Sequence, residues 1–119
     1  MGRITTHVLD TGRGKPAAGM RIELHRASAN GILELAAECM TNEDGRTSVP
    51  LLQGEGVQQG VYELRFEAGA YLKQTYDSGI SDETLWDTIP IRFRVTETQQ
   101  HYHIPLLIAP GGYSTYRGS

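Results

Sequence analysis

The chain has 119 residues, with 11 lysines and arginines against 14 acidic residues, a formal net charge of -3. At this length one domain over residues 1–119 buries roughly two-thirds of its unfolded surface, so a core forms without a second domain or covalent staples. Well-mixed charges exclude a basic stripe for nucleic acid or anionic membrane, no apolar run approaches a membrane span, and a single cysteine, Cys39, excludes an internal disulfide and a cysteine-based zinc site within one chain.

Ile4 to Leu9 is rich in β-branched residues and alternates, with Ile4, Thr6 and Val8 on one face and Thr5, His7 and Leu9 on the other, which predicts a first strand. Gly and Pro punctuate Asp10 to Pro16, a segment too polar to bury and expected as loop. Met20 to Arg26 alternates strictly, Met20, Ile22 and Leu24 facing the core and Arg21, Glu23 and His25 facing out. Asn30-Gly31 signals a hairpin into Leu33 to Met40, whose residues also suit a helix but whose context favours a strand. Asn42-Glu43-Asp44-Gly45 makes a second turn, leaving Arg46 to Val49 room for only a short strand before Pro50. Leu51 to Gln59 reads as loop. Gly60 to Phe66 is a strand whose facing stays open by one residue, because Val61, Leu64 and Phe66 do not share a face. Ala68 to Tyr76 fits the one short helix, Asp77 to Asp87 follows as loop, and Ile89 to Val95 is a strand with Ile91, Phe93 and Val95 inward.

His101 to Ile108 alternates so that Tyr102, Ile104, Leu106 and Ile108 share a core face, while His101, His103, Pro105 and Leu107 share the other. Two imidazoles among apolar neighbours mark a face that something covers. Ala109-Pro110-Gly111-Gly112 reverses the chain, and the returning arm from Tyr113 ends at Ser119 without a polar tail, inside a strand. On the side opposite the core it carries Ser114 and Tyr116, provided Tyr113 and Thr115 point inward. About eight short strands, turn signals between them and one short helix predict an all-β antiparallel β-sandwich.

Taken singly, the polar residues read as ordinary. His101 and His103 point the same way and suit a zinc pair, but such a site needs a third protein ligand and the sequence offers no matched partner, so no metal is assigned. His7 alone reads as a hydrogen-bonded structural residue, Arg46 as a solvated charge after a turn, and Cys39 as an inert core thiol.

Together they look different. His7-Val8-Leu9-Asp10 with Gly12 and Pro16, Asn42-Glu43-Asp44-Gly45-Arg46, and His101-Tyr102-His103-Ile104-Pro105-Leu106-Leu107 through Tyr113-Ser114-Thr115-Tyr116-Arg117-Gly118-Ser119 resemble the 5-hydroxyisourate hydrolase family, transthyretin-related enzymes of urate degradation. The resemblance runs end to end, and the closing Tyr-Arg-Gly-Ser is its most specific mark. Transthyretin itself, a hormone carrier, shares the fold but lacks that ending and lacks the histidines and arginine at the matching places. The resemblance implies a transthyretin-like sandwich that opens 5-hydroxyisourate at a cyclic amide bond, yielding 2-oxo-4-hydroxy-4-carboxy-5-ureidoimidazoline. It implies His7, Arg46 and His103 as catalytic residues and Tyr116, Arg117, Gly118 and Ser119 as substrate-binding, with His101 in a supporting place. Water activation and proton transfer then fall to the two histidines, in an order left open, and Arg46 polarises the substrate while its charge disfavours imidazolium nearby. No cofactor is implied.

The same resemblance implies a homotetramer, a dimer of dimers joined through edge strands with sites in the channel between dimers, for which Leu9, Pro105 and Leu107 suit a covered surface. The alternative function is a non-catalytic carrier of a small aromatic ligand in that channel. Keeping His7, Arg46 and His103 together argues against it, since binding alone does not need that set. With no leader pattern read at the N-terminus, the expected location is the cytoplasm.

Overall fold

The computed structural model describes residues 1–76 and 84–119. In chain order its strands are β1 (Arg3–Thr5), β2 (Val8–Asp10), β3 (Lys15–Pro16), β4 (Arg21–Ala27), β5 (Leu33–Met40), β6 (Leu52–Gln53), β7 (Gly60–Glu67), β8 (Thr88–Val95), β9 (His101–His103), β10 (Leu106–Ala109) and β11 (Gly112–Thr115). One α-helix, α1 (Ala68–Thr75), stands between β7 and β8, where a short helix is expected. Part of the expected loop 77–87 lies outside the described residues.

One sheet is fully antiparallel in the order β5-β4-β7-β8. The other face of the sandwich is built from two ladders, β6-β1-β9 and β11-β10-β2-β3. β1 with β2, and β9 with β10, are the expected strands 4–9 and 101–108, each broken into two, which raises the count above eight. The break falls where Pro105 has no N–H to give the ladder, and there Thr6 Oγ1 donates to Ile104 O at 2.7 Å. The backbone stays tied across the corner, Ile104 N–H donating to Thr5 O at 3.0 Å and Leu106 N–H to His7 O at 2.9 Å.

The expected sandwich is present, and most of its pairs are antiparallel, but two pairs in this part of it are parallel. β1 runs parallel to β9, pairing Arg3 with His101 and Thr5 with His103, and β2 runs parallel to β10. Hairpin-linked neighbours have to be antiparallel, but these partners are separated by most of the chain, so no turn sets their direction.

The core lies between the sheets and joins Ile4, Val8, Tyr102, Ile104, Leu106 and Ile108 from one side to Ile22, Leu24, Leu64, Phe66 and Ile89 from the other. Each such aliphatic or aromatic side chain contributes about 1.5–3 kcal/mol when fully buried. Tyr62, Leu64 and Phe66 are all buried, which settles the facing of β7 that alternation left open.

Several local expectations change. His25 shares the outer face with its cross-strand partner Glu63, yet both are nearly buried. The stems of Arg65 and Arg92, each bonded to Glu63, cover that face, and His25 is itself bonded to Glu23 at 2.9 Å. Arg46 to Val49 forms no strand: Arg46 makes a single antiparallel bridge to His7, while β6 and a short 3-10 turn, Gly54–Gly56, occupy the segment expected as loop. The polar segment after β2 is also less open than its composition suggests, because Asp10 is fully buried and Lys15–Pro16 pairs with β2. The returning arm leaves its ladder at Thr115, and neither Tyr113 nor Thr115 is buried, since β11 is an edge strand, although the Tyr113 ring meets Trp86 edge-to-face at 4.9 Å. Cys39 is half-buried at the margin of the core, and burial pushes its thiol pKa up.

Candidate active site

The first wall of the site is the turn after β5. Asn42 Oδ1 accepts from the N–H groups of Asp44 at 2.9 Å and Arg46 at 3.2 Å, closing the loop on itself. Gly45 has φ +75°, and a Cβ there would stand 2.3 Å from the Val8 carbonyl oxygen, so only glycine lets the turn lie against β2. The contact is sealed by Val8 N–H donating to Gly45 O at 2.8 Å. Arg46 is thereby held beside His7. His7 Nε2 is 2.8 Å from the Asp44 carbonyl oxygen. A carbonyl only accepts, so neutral His7 carries its proton on Nε2 and keeps Nδ1 as a proton acceptor.

The second wall comes from the parallel pairing of β1 and β9. It sets Thr5 opposite His103, and the Thr5 hydroxyl sits between the two imidazoles, Oγ1 being 2.6 Å from His101 Nε2 and 2.7 Å from His103 Nδ1. The terminal segment folds over this wall. Gly118 N–H donates to His103 O at 2.8 Å. A Cβ on Gly118 would stand 2.5 Å from His103 Cδ2, so the missing side chain is what lets the backbone rest against the ring. Arg117 braces the segment from outside, donating to Gln100 Oε1 at 3.0 Å and His101 O at 3.2 Å, with Cζ 4.5 Å from the centre of the Tyr102 ring.

Between the walls lies an open cleft of about 250 Å³ lined by Thr5, Arg46, His101, His103, Ser119 and the stretch 47–50. Arg46, His103 and Ser119, singled out from sequence, meet in it. His7 adjoins it through Arg46 and does not itself line it. Gly118 backs His103, Arg117 turns toward Gln100 and Tyr102, and Tyr116 is exposed. His101, given only a supporting place from sequence, lines the cleft, and Thr5 was not singled out at all. A threonine in a strand carries no chemical signal of its own; only its sharing a face with His7 hinted at it.

All three imidazoles of the site are held below the ordinary value of 6.5. Burial is the largest cause in each. For His7 the charge of Arg46 adds to it against the opposing bond to Asp44; for His103 the neighbours His101, Arg46 and His7 add to it; for His101 it is Arg3 and Arg117. These causes favour the neutral form of all three rings beside the charge of Arg46. Among the described residues no group of three His, Cys, Asp or Glu side chains is arranged to hold a metal ion.

Fold and cleft together define a transthyretin-like β-sandwich with a candidate acid–base site at one end of its mixed sheet. The family model described as HIUase/Transthyretin family matches residues 4–118, and the chain belongs to that family. It is 49% identical to the 5-hydroxyisourate hydrolase of Halalkalibacterium halodurans, covering 99% of this chain and 98% of the relative. It is 47% identical to the 5-hydroxyisourate hydrolase of Pseudomonas aeruginosa, covering 100% of this chain and 93% of the relative. Among solved structures, Klebsiella pneumoniae 5-hydroxyisourate hydrolase superposes with a TM-score of 0.82 at 35% identity, covering all of both chains. An (S)-allantoin synthase superposes with a TM-score of 0.89 at 45% identity; the match covers 99% of this chain and 44% of that one.

Proposed function

We propose that this chain hydrolyses 5-hydroxyisourate to 2-oxo-4-hydroxy-4-carboxy-5-ureidoimidazoline, acting as one domain over residues 1–119. The observation that carries the reading is the meeting of Arg46 and His103 in a cleft of about 250 Å³, in a chain 49% identical to a relative named for that reaction.

Amide hydrolysis needs an activated water, a donor for the developing oxyanion and a proton for the leaving nitrogen. A water oxygen bonds to the amide carbon while its proton passes to an imidazole. The carbonyl oxygen takes up negative charge, which the guanidinium of Arg46 stabilises through its planar set of donors. The carbon–nitrogen bond then breaks and the proton goes to the leaving ring nitrogen. His103 lines the cleft and is the imidazole placed to serve the substrate directly. His7 supports it from beside Arg46, its Nδ1 free to take a proton. Ser119 borders the substrate, Gly118 backs His103, Arg117 holds that segment in place, and exposed Tyr116 is left to meet substrate once the cleft is covered.

Among the edge strands, β8 of one sheet and β11 of the other lack a partner on their outer side, and Val49, Tyr113 and Tyr116 leave apolar surface exposed. These features support the homotetramer, formed by edge pairing and packing of dimers over the cleft. The lone cysteine needs no oxidising compartment, in keeping with a cytoplasmic enzyme. Among the described residues no helix is long and apolar enough to cross a membrane.

The direct test generates 5-hydroxyisourate in place with urate oxidase and follows its ultraviolet absorbance. Added protein should speed the decay in proportion to its concentration. Decay at the spontaneous rate at every protein concentration would reject the proposal.

A further inference from the structure

The Thr5 hydroxyl is within hydrogen-bonding distance of both cleft imidazoles, 2.6 Å from His101 Nε2 and 2.7 Å from His103 Nδ1. A hydroxyl has a single proton, so it donates to one ring and accepts from the other. The tautomers of the two histidines are therefore tied together in opposite senses. In one arrangement Thr5 donates to His103 Nδ1, the proton of His103 sits on Nε2, and the nitrogen left for the cleft is a donor. In the other, His103 Nδ1–H donates to Thr5, Thr5 donates to His101 Nε2, and His103 Nε2 is left with a free lone pair.

Only the second arrangement survives the uptake of a proton by His103. An imidazolium also donates from Nδ1, so the bond to Thr5 stays as it was while Nε2 gains and loses the proton. The first arrangement would force the hydroxyl to rotate during the reaction. The charged and titratable groups acting on the pair are Arg3 and Arg117 on His101, and Arg46 and His7 on His103; Ser119 borders the same cleft. The cations favour neutral rings, so the position of the proton on each ring is what remains to be set.

We propose that Thr5 is a positioning residue: its hydroxyl accepts from His103 Nδ1–H and donates to His101 Nε2, leaving His103 Nε2 as the proton acceptor in the cleft. The proposal rests on the reading of His103 as a proton-transfer residue, and it assigns the deciding part to a side chain that need not touch substrate.

The test is ¹⁵N NMR of the imidazoles in the full-length protein, above the pH at which they titrate. His103 should show a protonated Nδ1 and an unprotonated Nε2, and His101 an unprotonated Nε2. Thr5→Val, which keeps the shape but has no hydroxyl, should mix the tautomers of His103 and lower kcat by about ten-fold or more with KM nearly unchanged. Thr5→Ser should restore both the tautomer and most of kcat. A wild-type His103 carrying its proton on Nε2 would overturn the proposal, as would a Thr5→Val enzyme with wild-type kcat. If Thr5→Val fails to fold, the wild-type spectrum decides alone. A His103→Asn control separates the two readings: full activity in that variant would defeat the role of His103, while the wild-type tautomers would still report the bonding of Thr5.

Discussion

Arg46 is asked to do two things, to stabilise the oxyanion and to help keep the neighbouring imidazoles neutral, and one substitution reads both. Arg46→Gln should lower kcat/KM by about 10²–10³-fold, the usual effect of removing one oxyanion donor. Its pH profile should move as well. His7 and His103 are held below 6.5 by burial first and by Arg46 in addition. Activity that needs neutral imidazole is present above the lowered pKa and lost as pH falls through it, so removing the cation should shift the acid limb of kcat/KM upward, toward 6.5. An unmoved limb would mean that Arg46 does not act on the bases. Gly118→Ala tests the terminal segment separately. The added Cβ would stand 2.5 Å from His103 Cδ2, so ring or backbone has to shift. We expect turnover to fall at least about ten-fold with a melting temperature close to wild type, measured by kinetics and circular dichroism, because a displaced proton-transfer group loses its alignment. The resemblance carried by their flanking motifs pointed to His7, Arg46 and His103, of which Arg46 and His103 line the cleft and His7 adjoins it. Thr5 was not, because a common strand residue becomes a polar bridge only once the parallel register sets it against His101 and His103.

Among the elements, the hairpins and the helix followed from turn residues and alternation, as with Asn30-Gly31 between β4 and β5. What alternation cannot convey is which strands lie side by side. The parallel pairs β1·β9 and β2·β10 join the two ends of the chain, and the site sits on them. The burial of Asp10 was equally hidden, because its partners come from α1 and from the loop that follows β2. Tyr71 Oη donates to Asp10 Oδ2 at 2.6 Å, Tyr76 Oη donates to Oδ1, and Arg13 donates through its backbone N–H at 3.1 Å and its Nε at 3.2 Å. Burial opposes ionisation of this carboxyl, but the donors outweigh it and hold its pKa below the ordinary 3.8. Asp10 thus ties α1, and Tyr76 just beyond its end, to the strand that follows His7. Asp10→Asn should destabilise the fold by about 1–3 kcal/mol, because an amide nitrogen meets groups that are themselves donors. The ionised carboxylate stabilises the fold above pH 3.8 and loses that effect as pH falls through its lowered folded value. The gap between wild type and variant should therefore narrow at the acid end of a denaturation series. A gap independent of pH would contradict the role given to the charge.

At the scale of the whole molecule, the proposed assembly and the proposed chemistry share the open cleft. Its mouth carries Val49 at 69% exposure, and the strand that returns along the mixed sheet is followed by exposed Tyr116. A tetramer would cover this surface and close the site from water, which strengthens every electrostatic contact within it. Sedimentation at micromolar concentration should give a tetramer, and a fully active monomer would remove the assembly from the account. Proton transfer by His103 in ring opening is tested by the decay of 5-hydroxyisourate with wild-type protein and with His103→Asn, both verified as folded. In the variant kcat should fall by about 10²–10⁴-fold, the range of a lost general acid–base group. A His103→Asn protein that consumes 5-hydroxyisourate at the wild-type rate would contradict it.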